Sequence, residues 1–592
     1  MQYFTHSQLT RRGALLQALL GLCALLLVLA ACGSQQPTQT PQPTHVPLPP
    51  LPPVGTLADG AAGAQPVGPI AANTHLQLTI GLAINRQGLA DDLAALYDPN
   101  SPQYGHFLNP DQITSRYGAP QSAIDTVKQF LNAAGIQVEA VSSLRDSITV
   151  SATAAQIQQA FHISLQLFEL NGRNFFGPTG NIQLPAAISQ FIDYITGLSS
   201  FAQPRVGPKK ASVKPPACNE LQGASVVMPG QIASAYNYSN VYKAGYTGKG
   251  MSIGVVEFND DVSVNDLNTF LSCTTGGTLH RSIVRVNGGV KTSDEDSTGE
   301  ATLDFEYLST LAPDANLIEY QTNYCNQTFC DPSVDNFPEA YANILNQIAR
   351  EDRVQVVSAS WGGQENFFSQ DEIHAIDKAL ELLAVEGITF TAASGDCGAY
   401  DDGNFGRLSV DYPAADPYAL AVGGTLLATN AQGQRTGEPA WSNPSPDRSQ
   451  CQNDWGTGGG LSVIFPQPFW QAGAKVQNPN NTREVPDVSA ISLNVPLYFS
   501  GHWYSSGGTS LASPVWAAGI ALVDQGLRQH NKPLVGAPPT FYLVASKAGS
   551  RHPFYDVTRG NNLFYQAKAG FDLATGLGAP NLSDFGSVLG AF

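Results

Sequence analysis

Between residues 224 and 592 short apolar runs alternate with longer amphipathic stretches. MSIGVVEF, ANLIEYQ, VQVVSAS, GITFTAASG and ALAVGG read as strands, and the segments between them carry helical spacing. Apolar strands separated by helices predict a parallel sheet flanked by helices, because parallel neighbours need long crossovers and are covered on both faces. Active groups of such sheets gather at the carboxyl ends of strands. Glu257, Ser360, Trp361 and Asp396 stand at those ends.

A chain of 592 residues is too long for one ordinary domain. Arg11-Arg12 and the Leu/Ala/Val run from Ala14 to Ala31 have the n-region and h-region of a secretory signal over residues 1–31. That length also suits a marginal membrane anchor. Leu29-Ala30-Ala31-Cys32-Gly33-Ser34 resembles a bacterial lipobox, which implies cleavage before Cys32 and a lipid on it; Thr10-Arg11-Arg12-Gly13 hints at twin-arginine export. The expected product is an exported cell-envelope lipoprotein precursor. Residues 32–64 are Pro-rich and almost uncharged, and are predicted to be an extended tether with no fold of its own.

Residues 65–202 are globular in composition, with the strand LQLTIGLA, helical spacing at Leu89 to Leu96 and Ala123 to Ala134, and a strand-to-helix segment SITVSATAAQIQQAF. A compact α+β unit is expected there. The linker at 203–223 carries Arg205, Lys209, Lys210 and Lys214 among prolines, an accessible place for proteolytic nicking. The net charge of −18 and a pI near 4.9 argue against nucleic acid or an anionic membrane surface as partner. Cys218, Cys273, Cys325, Cys330, Cys397 and Cys451 remain after the signal and the lipid site. An even set in an exported chain points to disulfides, with 15 pairings open and only Cys325 with Cys330 suggested by proximity.

GGTSLASP, residues 507 to 514, places a serine among small residues ahead of a long apolar run. Ser510 therefore belongs on the first turn of a buried helix, among backbone N–H donors that lack intrahelical acceptors. A hydroxyl needs a neighbouring base to act as a nucleophile. G-T-S-x-A-x-P matches the serine segment of subtilisin-like proteases, yet no H-G-T-like histidine segment exists, and His502 reads as a surface residue of a strand. The helix GEATLDFEYLSTL supplies carboxyls instead. Glu300 and Asp304 are i and i+4, on one helix face, and two such groups side by side can share a proton.

These segments together resemble the sedolisin family, the serine-carboxyl peptidases of subtilisin-like fold, over roughly residues 65–592, with a pro-kumamolisin-type activation domain at 65–202 and the peptidase domain at 224–592. The resemblance implies that Ser510 is the nucleophile, Glu300 its general base, Asp304 the group that orients Glu300, and Asp396 of ASGDCG the oxyanion-site acid. Glu257 of VVEF and Trp361 of SASWGG match the network behind the dyad in kumamolisin-like members. Asp396 can assist an oxyanion only when protonated, which points to an acidic working pH.

FYDVTRGNNLFYQAKAGFDLATGLGAPN resembles the family's calcium loop. It implies one structural Ca²⁺ held by the side chains of Asp556 and Asp572 and the carbonyls of Val557, Lys568 and Gly570. Lys568 departs from the glycine common at that position. GTGGG at 456–460 lacks the Lys-Ser/Thr ending of a phosphate loop and reads as substrate-groove backbone. REVPDVSA also resembles a family segment. The implied protein is a monomeric zymogen acting on proteins or peptides, with the activation domain as its own inhibitor and the lipid on Cys32 as its membrane contact before maturation. Three other readings stay open: a tripeptidyl exopeptidase on the same fold, a histidine-dependent subtilase, and an exported binding protein on an inactive scaffold.

Overall fold

The computed structural model describes residues 55–180, 182–204, 211–212, 218, 226–291, 293–324, 336–401, 407–444, 455–472 and 478–592. The signal, the lipobox, most of the tether and linker, and Cys325, Cys330 and Cys451 lie outside the described residues. Among the described residues no helix is long and apolar enough to cross a membrane.

The N-terminal body has two antiparallel sheets. Strands β1 (Gln65–Pro69), β5 (Leu165–Leu170) and β6 (Arg173–Pro178) form one in the order β1-β5-β6. The second has the order β3-β4-β2-β7, with β2 (His75–Leu82), β3 (Gln137–Val141), β4 (Ser147–Thr153) and β7 (Ile192–Thr196). Helix α1 (Arg86–Tyr97) follows β2, α2 (Gln121–Ala133) precedes β3, and α3 (Ala154–Phe161) continues β4 directly behind a Thr153–Gln156 capping box.

The tether was expected to run unfolded to residue 64, and here the structure differs. Residues 59–61 form a 3-10 turn, Ala58 and Ala61 are buried with Phe168, Phe175 and Phe201, and Gly55 N–H donates to Asp371 at 2.5 Å. Small side chains fit between those aromatic rings, a role that low-complexity sequence does not display.

The C-terminal body is built on a seven-stranded, all-parallel sheet of order β9-β10-β8-β11-β12-β13-β14. Its strands are β8 (Ser252–Phe258), β9 (Arg281–Arg285), β10 (Asn316–Thr322), β11 (Val356–Ala359), β12 (Thr389–Ala393), β13 (Ala419–Thr425) and β14 (Val488–Ile491). Helices α4 (Glu295–Leu311) and α7 (Thr509–Gln529) cover one face, where Leu303, Leu308, Val515 and Trp516 share a core with Val255, Leu420 and Val488. Helices α5 (Phe337–Glu351) and α6 (Gln370–Glu386) cover the other. This is the helix-flanked parallel sheet that the apolar pattern predicts and the subtilisin-like fold that the resemblance implies, preceded by an α+β body. Leu89, Leu93, Tyr97 and Tyr194 of the N-terminal body belong to the same core cluster as α5 and α6, so the two bodies are packed through that layer. Cys218 pairs with Cys273, and Cys397 is also disulfide-bonded.

Candidate active site

Strands β8, β11 and β12 end side by side, and helices α4 and α7 begin over their carboxyl ends. Helix α7 has no side-chain cap from the preceding residue, Gly508. Its first N–H is instead held by Asp396, which follows β12: Oδ1 accepts from Thr509 N–H at 2.7 Å and from Thr509 Oγ1 at 2.9 Å. Thr509 Oγ1 in turn accepts from Gly395 N–H at 3.1 Å. Ser510 is the next residue and is 8% exposed.

Helix α4 starts at Asp294, whose side chain accepts from Ser297 N–H at 2.8 Å. Its middle turns carry Glu300 and Asp304, both fully buried. Ser360, just beyond β11, places Oγ 2.8 Å and 3.0 Å from the two oxygens of Asp304 and 3.1 Å from the carbonyl oxygen of Ser510. The next residue, Trp361, donates its indole N–H to Glu257 at 2.9 Å. The structure thus ties Asp304 to the turn that carries Ser510, joins Glu257 to Trp361, and sets Asp396 at the mouth of α7.

Burial is the main cause that pushes Asp304 well above the ordinary carboxylate range; the charge of Glu300 adds to it and the Ser360 hydrogen bond opposes it. Glu257 is raised by burial first, then by Asp304 and Asp260, against the pull of Trp361. A site with this many carboxyls out of water holds protons that exposed carboxylates would release.

The structure adds residues to which the sequence reading gave no role. Thr509 and Ser360 are hydroxyls that link the carboxyls to backbone. Asp260 and Glu319 extend the buried acids behind Glu257, with Glu319 bound by Arg281 and by Gln321 at 2.5 Å. Thr509 adjoins Ser510, and Ser360 was named only for standing at a strand end, so position was the available signal. Glu319 lies on the next strand, and only the β8–β10 register, with Gln321 opposite Glu257, brings it near.

In the candidate calcium loop Asp556 Oδ2 accepts from Gly570 N–H at 3.0 Å, and Asp572 Oδ2 accepts from Lys568 N–H at 2.8 Å. The two carboxylates therefore meet the same short backbone segment, with Gly570 at φ +77° forming the turn. Asp572 is buried, while Asp556 is exposed. Asn562 of this loop donates to the carbonyl of Gly459 at 3.1 Å. The glycine segment is braced against the site from within as well: Gly456 N–H donates to the Asp396 carbonyl at 3.0 Å and Gly458 N–H to the Gly395 carbonyl at 2.7 Å.

Residues 62–201 match the model of the pro-kumamolisin activation domain, and residues 284–535 match that of the subtilase family. Kumamolisin from Bacillus sp. (strain MN-32) is 28% identical over 543 residues, covering 87% of this chain and 91% of that protein. Xanthomonalisin from Xanthomonas sp. (strain T-22) is 28% identical over 565 residues, covering 88% of this chain and 66% of that one. The solved structure of Pseudomonas sedolisin, a serine-carboxyl proteinase, superposes with a TM-score of 0.54 at 26% identity, over 62% of this chain and all of that one. Tripeptidyl-peptidase 1 of Canis lupus familiaris also matches, at 25% identity over 601 residues, 94% of this chain and 97% of that one. Fold and sequence together define a subtilase-type peptidase domain behind an activation domain. Within that class the chain is homologous to kumamolisin, xanthomonalisin and sedolisin.

Proposed function

We propose that the chain is the exported, self-processing zymogen of an acid-active serine-carboxyl endopeptidase. One observation carries this reading: two fully buried carboxyls, Glu300 and Asp304, stand one helical turn apart, and Asp304 is joined through Ser360 to the backbone of Ser510. In this reading Ser510 Oγ attacks the peptide carbonyl carbon while its proton passes to Glu300, whose charge Asp304 steadies by sharing a proton. The carbonyl oxygen becomes an oxyanion between the N–H of Ser510 and the carboxylic acid of Asp396. Asp396 Oδ1 already accepts from Thr509, so its other oxygen is the one to carry the donated proton. Collapse of the intermediate breaks the C–N bond, and Glu300 returns the proton to the leaving amine. Water then repeats the sequence on the acyl-enzyme.

The test is the pH profile of protein cleavage by the acid-incubated chain, run beside Ser510→Ala and Glu300→Gln. A maximum in the range of carboxyl ionisation, about pH 3 to 5, lost in both variants, supports the assignment. Activity near neutrality that survives Glu300→Gln returns the proton to a histidine. A tripeptidyl exopeptidase is the second reading, favoured by the match to tripeptidyl-peptidase 1. Peptides with blocked and free N-termini separate the two, since an exopeptidase needs the free end.

Asp556 and Asp572 offer the hard oxygen donors that Ca²⁺ takes, and the backbone at 557 and 568–570 can add carbonyls. Bound there, the ion would stiffen the loop that supports the Gly456–Gly460 segment. The N-terminal body would serve as inhibitor, and Cys32 would carry lipid until a cut in the 203–223 linker frees the peptidase. Mature protein that stays in the detergent phase after acid treatment would contradict that order.

A further inference from the structure

Helix α7 contains Pro514, four residues after Ser510. Proline has no N–H, so the carbonyl of Ser510 loses the donor that an uninterrupted helix would give it. Ser360 Oγ stands 3.1 Å from that carbonyl, and the same oxygen reaches both oxygens of Asp304 at 2.8 Å and 3.0 Å. A hydroxyl has one hydrogen and can donate it in one direction at a time. Three acceptor atoms therefore compete for one proton, and which of them wins depends on where the proton of Asp304 points.

We propose that Ser360 is a positioning residue that couples the proton of the Glu300–Asp304 pair to the backbone of the nucleophile, through the carbonyl that Pro514 leaves open. The inference rests on the catalytic reading above. Before attack the proton of the pair lies between Asp304 and an ionised Glu300, and Ser360 donates to Asp304. When Glu300 receives the proton from Ser510, Asp304 no longer has an anion to donate to. Its proton turns to Ser360 Oγ, and the hydrogen of Ser360 turns to the Ser510 carbonyl. The proton count closes, with one hydrogen each on Ser510, Asp304 and Ser360 before the step and one each on Glu300, Asp304 and Ser360 after it. The turn that bears the nucleophile is thus gripped in the state in which Ser510 has become covalently committed.

Two features argue that this arrangement is more than core packing. Ser360 is 4% exposed and its hydroxyl lies between a buried acid and a main-chain acceptor, where an unsatisfied group would be costly. Pro514 sits inside a 21-residue helix, a position that normally weakens a helix, so its cost asks for a local reason.

The experiment uses the full chain, acid-incubated, with steady-state cleavage of one peptide measured across pH for Ser360→Ala, Ser360→Thr and Pro514→Ala. Ser360→Ala is expected to lower kcat roughly tenfold, the cost of leaving a buried acceptor unsatisfied, with KM little changed. Because Ser360 favours the ionised form of Asp304, its loss is also expected to move the dyad's limb of the profile to higher pH. Ser360→Thr keeps the hydroxyl and should restore both. Pro514→Ala gives the helix an N–H for the Ser510 carbonyl, so kcat should fall without a shift of the limb. This variant favours the helix and guards against a simple folding failure. A Ser360→Ala enzyme with the parent's kcat and profile overturns the inference, as does a Pro514→Ala enzyme with the parent's kcat. If Glu300→Gln or Ser510→Ala stays active, the catalytic reading itself has failed, which is a separate outcome.

Discussion

Gly508 precedes the nucleophile's helix with φ +132°, a backbone region that L side chains rarely adopt, and a Cβ built on it would stand 2.7 Å from Asp396 Oδ2. That oxygen is the one the proposed mechanism protonates. Gly508→Ala is therefore expected to do two things at once. It should cost about 1–3 kcal/mol of stability through backbone strain, read as a fall in the thermal midpoint of the full chain. It should also push the Asp396 carboxyl off its line and lower kcat by about two to three decades, the loss associated with one oxyanion donor. A variant with unchanged kcat would mean that Asp396 takes no part at the oxyanion. The neighbouring Thr509 hydroxyl, held between Gly395 N–H and Asp396, explains why a threonine rather than any small residue stands before Ser510.

Among the elements, strands β8, β10, β11, β12 and β13 were legible because each is an apolar run bounded by polar turns, as in VQVVSAS over β11, whereas the half-exposed edge strand β9 (RSIVR) and the short β14 (VSAI) were not read as strands. Helix α4 was legible mainly as the carrier of Glu300 and Asp304. It is buried on almost every side, so Glu306, Thr310 and Tyr307 point into protein and blur the two-faced pattern of a surface helix. Glu306, for example, accepts from Tyr498 N–H at 3.1 Å, a contact set by tertiary structure alone. The packed turn at 59–61 was missed for a related reason: alanines that fill a gap between phenylalanines carry no periodicity. REVPDVSA was recognisable as a segment without a role, and the structure supplies one. Arg483, fully buried before β14, binds Asp487 with two nitrogens at 2.8 Å and 2.6 Å and also reaches the carbonyl of Ala419. Asp487 accepts Ala421 N–H at 2.8 Å, so the pair fastens the start of β14 to β13. Arg483→Met would leave a buried carboxylate without its cation, and a loss of about 3–5 kcal/mol is expected. Equilibrium unfolding in denaturant measures it. A cost below about 1 kcal/mol, the value of an exposed pair, would show that Asp487 is satisfied by its remaining donors.

At the scale of the whole molecule the N-terminal body is held on α5 and α6 by charge as well as by apolar packing. Arg86 of α1 reaches Asp377 at 3.0 Å and Glu381 at 3.1 Å on α6, and its Nη1 lies 3.0 Å from Nε2 of His374. Lys378 of α6 donates to the Asp146 carbonyl at 2.8 Å, with Asp193 of β7 also facing it. Thr79 and Thr196 both donate to Glu339 of α5. Arginine can only donate, so the contact with His374 requires a neutral imidazole that accepts at Nε2. Burial first, then the charges of Arg86 and Lys378, press His374 down from 6.5 to about 3. A depressed value means that docking is undiminished above pH 6.5 and is weakened progressively as pH falls from there toward about 3. The carboxyls work in the opposite direction. Burial lifts Asp371 and Glu381 to about 7 and also raises Asp377, Asp193 and Glu339, so their proton uptake on acidification favours the docked state. Among the groups named at this interface His374 is the one that takes up its proton in the acid range and whose proton opposes docking, and acid release should depend on it. Small-angle scattering of the full Ser510→Ala chain, inactive and therefore uncut, would follow the radius of gyration as pH is lowered, with circular dichroism as a check that both bodies stay folded. The radius is expected to increase below about pH 6, since half of an unperturbed histidine is charged near 6.5. With His374→Gln, which accepts from Arg86 at any pH, the increase should move to lower pH by about one unit or disappear. Expansion at the same pH in both chains would remove His374 from the interface's response and assign the acid release to groups outside this cluster.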